Sequence, residues 1–184
     1  MEILNVALTN LGMYNEGTLN FTWLSLPCSD EELAEAFDKI RVSHDDKHYF
    51  DKWHCNEYEE YFITDYESDF FNIGEYENIE RLNEMAERIA ELDESEQEIV
   101  KALLDGWCND LEQCIDKVGD CIVYNDCNDM TDVAYQVCEE QYFDLFNNND
   151  SILSRYFDYE AFGRDLALEG NFIGTDTGYI EVLD

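Results

Sequence analysis

The 184-residue chain carries 45 aspartates and glutamates against 10 lysines and arginines, a formal charge of −35, with 45% apolar and 14% aromatic residues. That apolar share separates it from charged disordered tails and allows a buried core. The lack of any cationic cluster excludes direct binding to nucleic acid or to anionic membranes, so a charge-driven partner must be basic.

The expected elements follow in chain order. No apolar run approaches the roughly 18 residues of a membrane span, and Met1-Glu2-Ile3-Leu4-Asn5 lacks the basic and long apolar regions of an export signal, so a cytoplasmic protein is expected. Leu4, Val6 and Leu8 mark one strand. Thr18-Leu19-Asn20-Phe21-Thr22-Trp23 marks a second, its apolar and polar residues alternating at the period of a half-buried strand. Gly12, Asn15 and Gly17 between them are turn residues. Ser29 with Glu32 forms a capping box opening a helix whose apolar face is Leu33, Phe37 and Ile40. A polar stretch, Ser43 to Cys55, precedes a third strand around Tyr58–Ile63.

The middle is helical. Asn78 caps a helix with Ile79, Leu82, Ala86 and Ile89 on one face and Glu80, Glu84, Glu87 and Glu91 on the other. Ser95 with Glu98 reads as a second capping box, and Leu111, Ile115 and Val118 as a further helix. The last third mixes types: a strand at Cys121–Tyr124, a helix over Met130–Phe146, a loop at Asn147–Asp150, and a helix at Tyr159–Leu168 closed by Gly170. A hairpin then follows around Gly174–Gly178.

Sites of chemistry are sparse. No Gly-rich phosphate loop, Gly-x-Ser-x-Gly or His-Glu-x-x-His is present, so no catalytic, cofactor-binding or metal-binding residue is assigned. Seven cysteines form no Cys-x-x-Cys pair. Cys108, Cys114, Cys121 and Cys127, spaced 6, 7 and 6 apart, suit buried thiols better than a zinc loop. His44 and His48 stand four apart but flank Asp45-Asp46-Lys47, the composition of an exposed loop. Asp126-x-Asn128 begins like a calcium loop and then fails, with Met130 and Thr131 where an oxygen ligand and a glycine belong.

The charge is spread along the chain and densest at 57–98, which holds sixteen acids and two bases. Like charges one helical turn apart each cost roughly 0.2–0.5 kcal/mol, so a helix shaped for stability alone would intersperse lysines. One use for such a field is imitation of DNA, which presents a charge per about 1.7 Å of axis. At that density the net charge would cover about 60 Å, against a diameter near 40 Å for a compact chain of this length. A mimic would therefore be elongated. Its partner-binding acidic surface is assigned to Glu57, Glu59, Glu60, Asp65, Glu67, Asp69, Glu75, Glu77, Glu80, Glu84, Glu87, Glu91, Asp105, Asp110, Glu112, Asp116 and Asp120.

Five blocks carry a family likeness. They are Thr9–Gly17 followed by Trp23, then Tyr58–Glu67, then Glu75–Ile79 with Leu82-Asn83. Asp126–Met130 with Asp132-Val133-Ala134 comes next, and the longest is Tyr156–Leu166. Together, and in this order, they resemble the ArdA antirestriction proteins. The resemblance implies a DNA mimic carried on plasmids, conjugative transposons or phages, which binds the specificity and methyltransferase subunits of type I restriction–modification enzymes. It implies an α+β fold: an elongated, curved chain of three small domains, dimerising through the last. Its boundaries fall at 1–77 (sheet plus helix), 78–120 (acidic, helical) and 121–184 (mixed). A homodimer of so acidic a chain needs an apolar patch, expected among the C-terminal aromatics. The family's antirestriction motif falls near 145–159, where Tyr156, Asp158 and Tyr159 match, while Asn147–Asn149 replaces a Gly- and Pro-containing stretch. Ser43–Cys55 reads as an insertion. The competing classes are an acidic module that decoys other basic proteins and a divalent-ion buffer.

Overall fold

The computed structural model describes residues 2–142, 146 and 155–183. They form a mixed α+β structure with seven α-helices and two three-stranded antiparallel sheets among the described residues. The chain divides into two compact units, Met1–Gln97 and Glu98–Asp184.

In the first unit, β1 (Leu4–Asn10) lies between β2 (Phe21–Leu26) and β3 (Tyr61–Glu67). Leu4, Val6 and Leu8 on one face of β1 are in register with Leu26, Leu24 and Thr22 of β2, and Leu8 with Ile63 of β3. This is the face that α2 (Asp30–Ile40) covers, burying Ala36 and Ile40. The alternation in β2 is real, but its phase is the reverse of the expected one. Leu24 and Leu26 are inside, while Leu19, Phe21 and Trp23 are exposed. The period-2 rule fixes which residues share a face, and only the helix decides which face is the inner one.

Between β1 and β2 the expected turn is a short helix, α1 (Leu11–Asn15), capped by Asn10, whose side chain accepts from the Met13 amide. Asn10 is fully buried because the same side chain also donates to the Ile40 and Arg41 carbonyls at 3.0 and 2.9 Å. Asn20 donates to the Ile40 carbonyl as well, at 2.7 Å. The open carbonyls at the C-terminus of α2 thus find their partners in asparagine amides. At its other end α2 has the expected capping box, with Ser29 and Glu32 bonded reciprocally.

Helix α3 (Ile79–Glu91) buries Ile79, Leu82, Met85, Ala86 and Ile89, the expected stripe plus one methionine. Mid-helix Asn83 accepts from the Cys28 amide at 2.7 Å and donates to the Cys28 carbonyl at 3.0 Å, pinning α3 to the β2–α2 loop. The capping box of α4 (Glu94–Gly106) lies two residues before the expected one: Asp93 and Glu96, not Ser95 and Glu98, exchange backbone bonds at 2.9 Å. Both pairs satisfy the sequence pattern, and the earlier one wins because Leu92 already ends α3.

In the second unit, α5 (Leu111–Lys117) leads through a 3₁₀ turn, Val118–Asp120, into β4 (Cys121–Asn125). The sheet order is β4-β6-β5, with β5 (Phe172–Thr175) and β6 (Gly178–Val182) forming the expected hairpin. A Cβ on Gly178 would stand 2.0 Å from the Tyr124 carbonyl oxygen, so the β4–β6 contact admits only glycine there. The core gathers Tyr124, Cys127, Val133 and Val137, with Phe162, Leu166 and Phe172 against it. Helices α6 (Met130–Gln141) and α7 (Tyr159–Glu169) approach closely at Gly163, where a Cβ would meet the Met130 carbonyl oxygen at 2.4 Å. The expected loop at Asn147–Asp150 lies outside the described residues, as does most of the C-terminal end of the expected 130–146 helix.

Candidate functional site

Of the seventeen carboxylates assigned to the acidic surface, all but Glu57 are exposed. Twelve of them, Glu57 to Glu91, belong to the first unit and five, Asp105 to Asp120, to the second. The exposure has a local cause in each element. On α3, burial of the Ile79–Ile89 stripe turns Glu80, Glu84, Glu87 and Glu91 outward. Successive glutamates rise by about one helical turn, 5.4 Å. On β3, the register that turns Ile63 inward places Asp65 and Glu67 on the opposite, open face. Glu59, Glu60 and Glu77 line an open depression of about 380 Å³ together with Leu11, Tyr61, Tyr76 and Asn78.

Several of the assigned acids have structural duties. Glu57 accepts from His48 Nδ1 at 2.6 Å, and this bond holds its carboxyl below the ordinary range. Asp110 caps α5, accepting from the Glu112 and Gln113 amides. Asp120 pairs with Lys117 at 3.2 Å, and Glu87 accepts from Asn83 at 3.2 Å. The surface is therefore a field of many carboxylates, some of them tied to the fold.

The residues of the expected family motif divide in the same way. Asp158 is the N-cap of α7, accepting from the Ala161 amide at 3.0 Å. Tyr159 stacks on Tyr135 with ring centroids 3.7 Å apart, while Tyr156 is 78% exposed. The Asn147–Asn149 part of the motif lies outside the described residues.

The 43–57 loop, which contains the expected insertion Ser43–Cys55, is ordered by buried and half-buried acids. Asp51 is buried and accepts from the Trp53 and Cys55 amides and from Asn56 Nδ2. Asp38 on α2 accepts from Lys47 Nζ, His44 Nε2 and Tyr49 Oη. The Lys47 ammonium first, then His44 and Tyr49, hold the Asp38 carboxyl far below the usual carboxylate range. His44 and His48 thus bond to carboxylates on either side of the loop and do not share a helix face. Among the described residues, no three His, Cys, Asp or Glu side chains converge as a metal site requires. The Asp126–Thr131 segment instead starts α6: Asp129 caps it and Asp132 accepts from Asn128.

All seven cysteines are free thiols, with Cys114, Cys127 and Cys138 buried. Burial pushes the Cys28 and Cys114 thiols up to about 11, so both stay protonated at neutral pH and behave as small apolar groups. Cys28, Cys108 and Cys121 are only half-buried and Cys55 is exposed, so the expectation of buried thiols holds for part of the set. Sequence patterning missed the aromatic open face of the first sheet, because strict alternation in 18–23 gave Phe21 and Trp23 to the core.

No helix among the described residues is long and apolar enough to cross a membrane. No match is found among curated proteins. The sequence model of the antirestriction protein (ArdA) family, however, matches residues 6–181, from within β1 to within β6. An acidic surface on a small α+β frame, with every one of the five sequence blocks inside the matched span, places this chain in the ArdA antirestriction family.

Proposed function

We propose that the chain is a DNA mimic that occupies the DNA-binding groove of a type I restriction–modification enzyme, blocking DNA binding, cleavage and modification. Membership of the family gives the broader function, antirestriction by an inhibitor that interacts with restriction–modification enzymes. The observation that carries the finer reading is the exposure of sixteen of the seventeen assigned carboxylates, in a chain of net charge −35. A basic groove exchanges phosphates and their counterions for such a surface, and the long-range field speeds the encounter. Affinity is then the sum of many screened contacts.

In the same reading the chain has three small domains, 1–77, 78–120 and 121–184, acts in the cytoplasm and works as a homodimer. Support for dimerisation through the C-terminal segment comes from its exposed apolar groups: Tyr135, Tyr142, Tyr156 and Leu168 are all at least 46% exposed. Two such acidic chains repel at long range, so apolar contact has to supply the association energy.

A competition titration tests the reading. Type I methyltransferase core is bound to labelled duplex carrying its target and challenged with this chain at two salt concentrations. Displacement near equimolar protein, weakening as salt rises, is the expected result. No displacement at large excess rejects the mimic, and displacement of unrelated basic proteins from DNA with equal ease favours the general acidic decoy.

A further inference from the structure

Helix α2 covers one face of the first sheet, and α1 reaches the other where Tyr14 meets Phe62 edge-on, ring centroids 5.1 Å apart. On this second face, the register aligns Phe21 and Phe62 across Thr9, Trp23 and Asp65 across Ala7, and Ser25 and Glu67 across Asn5. Directly paired residues share a face, so aromatic rings and carboxylates stand side by side on one surface. Thr9 and Ala7 in the central strand are buried between their larger neighbours, whereas Phe21 is 48% and Trp23 44% exposed. Tyr76 extends the aromatic row: it stacks on Phe62 with centroids 6.3 Å apart and is 72% exposed. Tyr76 also lines the depression that holds Glu59, Glu60 and Glu77.

We infer that this open face is an anchoring site for a basic protein segment that presents arginine among apolar side chains. The inference rests on the DNA-mimic reading and adds to it a local, apolar source of affinity. Large exposed aromatics cost solvation in a free protein, and three of them on one surface form the kind of patch that marks an interface. The chemistry of the rim selects the occupant. Asp65 and Glu67 lie two strand spacings from the Trp23 and Ser25 column, about 10 Å. A guanidinium therefore lies flat on an indole or phenol ring while its neighbour in the partner pairs with a carboxylate. A second copy of this chain sets its own Asp65 and Glu67 against this rim, like charge on like, and the dimer contact proposed above uses the C-terminal aromatics instead. Acidic lipid headgroups and nucleic acid are repelled for the same reason.

Salt separates this anchor from the charge field. Carboxylate contacts at a wet rim are screened over a Debye length of about 8 Å at physiological ionic strength, whereas aromatic burial is not weakened by salt. The triple variant Phe21→Ala/Trp23→Ala/Tyr76→Ala is compared with the unaltered chain in displacing labelled duplex from type I methyltransferase core, at low and at high salt. About tenfold more of the variant is expected for half-displacement at both salts, with the melting temperature held within a few degrees. Trp53→Ala, which removes an exposed ring from the 43–57 loop, is expected to change nothing. Should the triple variant fail to fold, Tyr76→Ala alone decides, with a threefold or greater loss expected. A loss below threefold, while the unaltered chain still displaces duplex, overturns the anchor and leaves the DNA-mimic reading in place. An unaltered chain that displaces nothing overturns both.

Discussion

Asp38 concentrates at one carboxylate what most of the surface spreads over many. It takes three bonds, from Lys47, His44 and Tyr49, and so closes the 43–57 loop onto the end of α2, while Asp45 faces His44 from the loop side. These donors lower its pKa relative to the unfolded chain. A depressed carboxyl contributes stability that is complete above the unfolded value of about 3.9 and is lost as pH falls through the folded value. Asp38→Asn is therefore expected to melt below the unaltered chain at about pH 7, with the gap closing as the pH drops below about 4. Melting curves at several pH values check this, and a gap that persists undiminished at about pH 2 contradicts it. Asn10 works differently. Its buried amide serves two elements, capping α1 and completing α2, and it contributes through geometry at every pH.

At the scale of the element, α3 sets stability against the proposed inhibition. Its inner stripe is unbroken and the glutamates stand outside it, with Glu87 bonded to the Asn83 amide. They oppose one another, with 80 and 84, 84 and 87, and 87 and 91 each one turn apart. Replacing Glu80 and Glu87 by glutamine relieves all three like-charge contacts and leaves Glu84 and Glu91 one turn from Arg81 and Arg88, a gain of about 1 kcal/mol at roughly 0.3 kcal/mol each. The variant is expected to unfold at higher urea concentration while displacing duplex less effectively. A variant that is both more stable and equally inhibitory shows that these glutamates are an ordinary solvated face. The sheet teaches a related lesson. Phe21-Thr22-Trp23-Leu24-Ser25-Leu26 holds an apolar set in each phase, and α2 takes the leucines. The aromatic set is left facing outward.

At the scale of the whole molecule, the DNA-mimic reading makes electrostatics the governing property. A field of −35 acts at distances where no single residue is decisive. Reversal of one exposed glutamate or aspartate is expected to change displacement by less than about threefold, well under 1.4 kcal/mol. Neutralising ten or more is expected to abolish displacement at physiological salt. Titration of a graded series, from one to ten substitutions, distinguishes the outcomes: a steep loss at one particular acid contradicts a distributed field. The aromatic anchor on the first sheet accounts for what remains when salt removes the field.

The sequence by itself determined the charge, most of the secondary-structure types and the family. Charge needs no tertiary information. Local periodicity and caps such as Ser29–Glu32, Asn78 and Gly170 are written in neighbouring residues, and the five blocks lie in linear order. The choice between alternatives that are locally equal was left to the tertiary structure. It decided the inner face of β2, the capping pair of α4, the helical form of residues 11–15, and the folding of the 43–57 loop onto Asp38. It also turned Asp110 and Asp158 into helix caps, roles that one acid among 45 does not announce. The physical reason is common to all. Periodicity and capping specify relations between residues close in the chain, whereas burial and pairing depend on which distant surface arrives, and that is settled only when the elements pack.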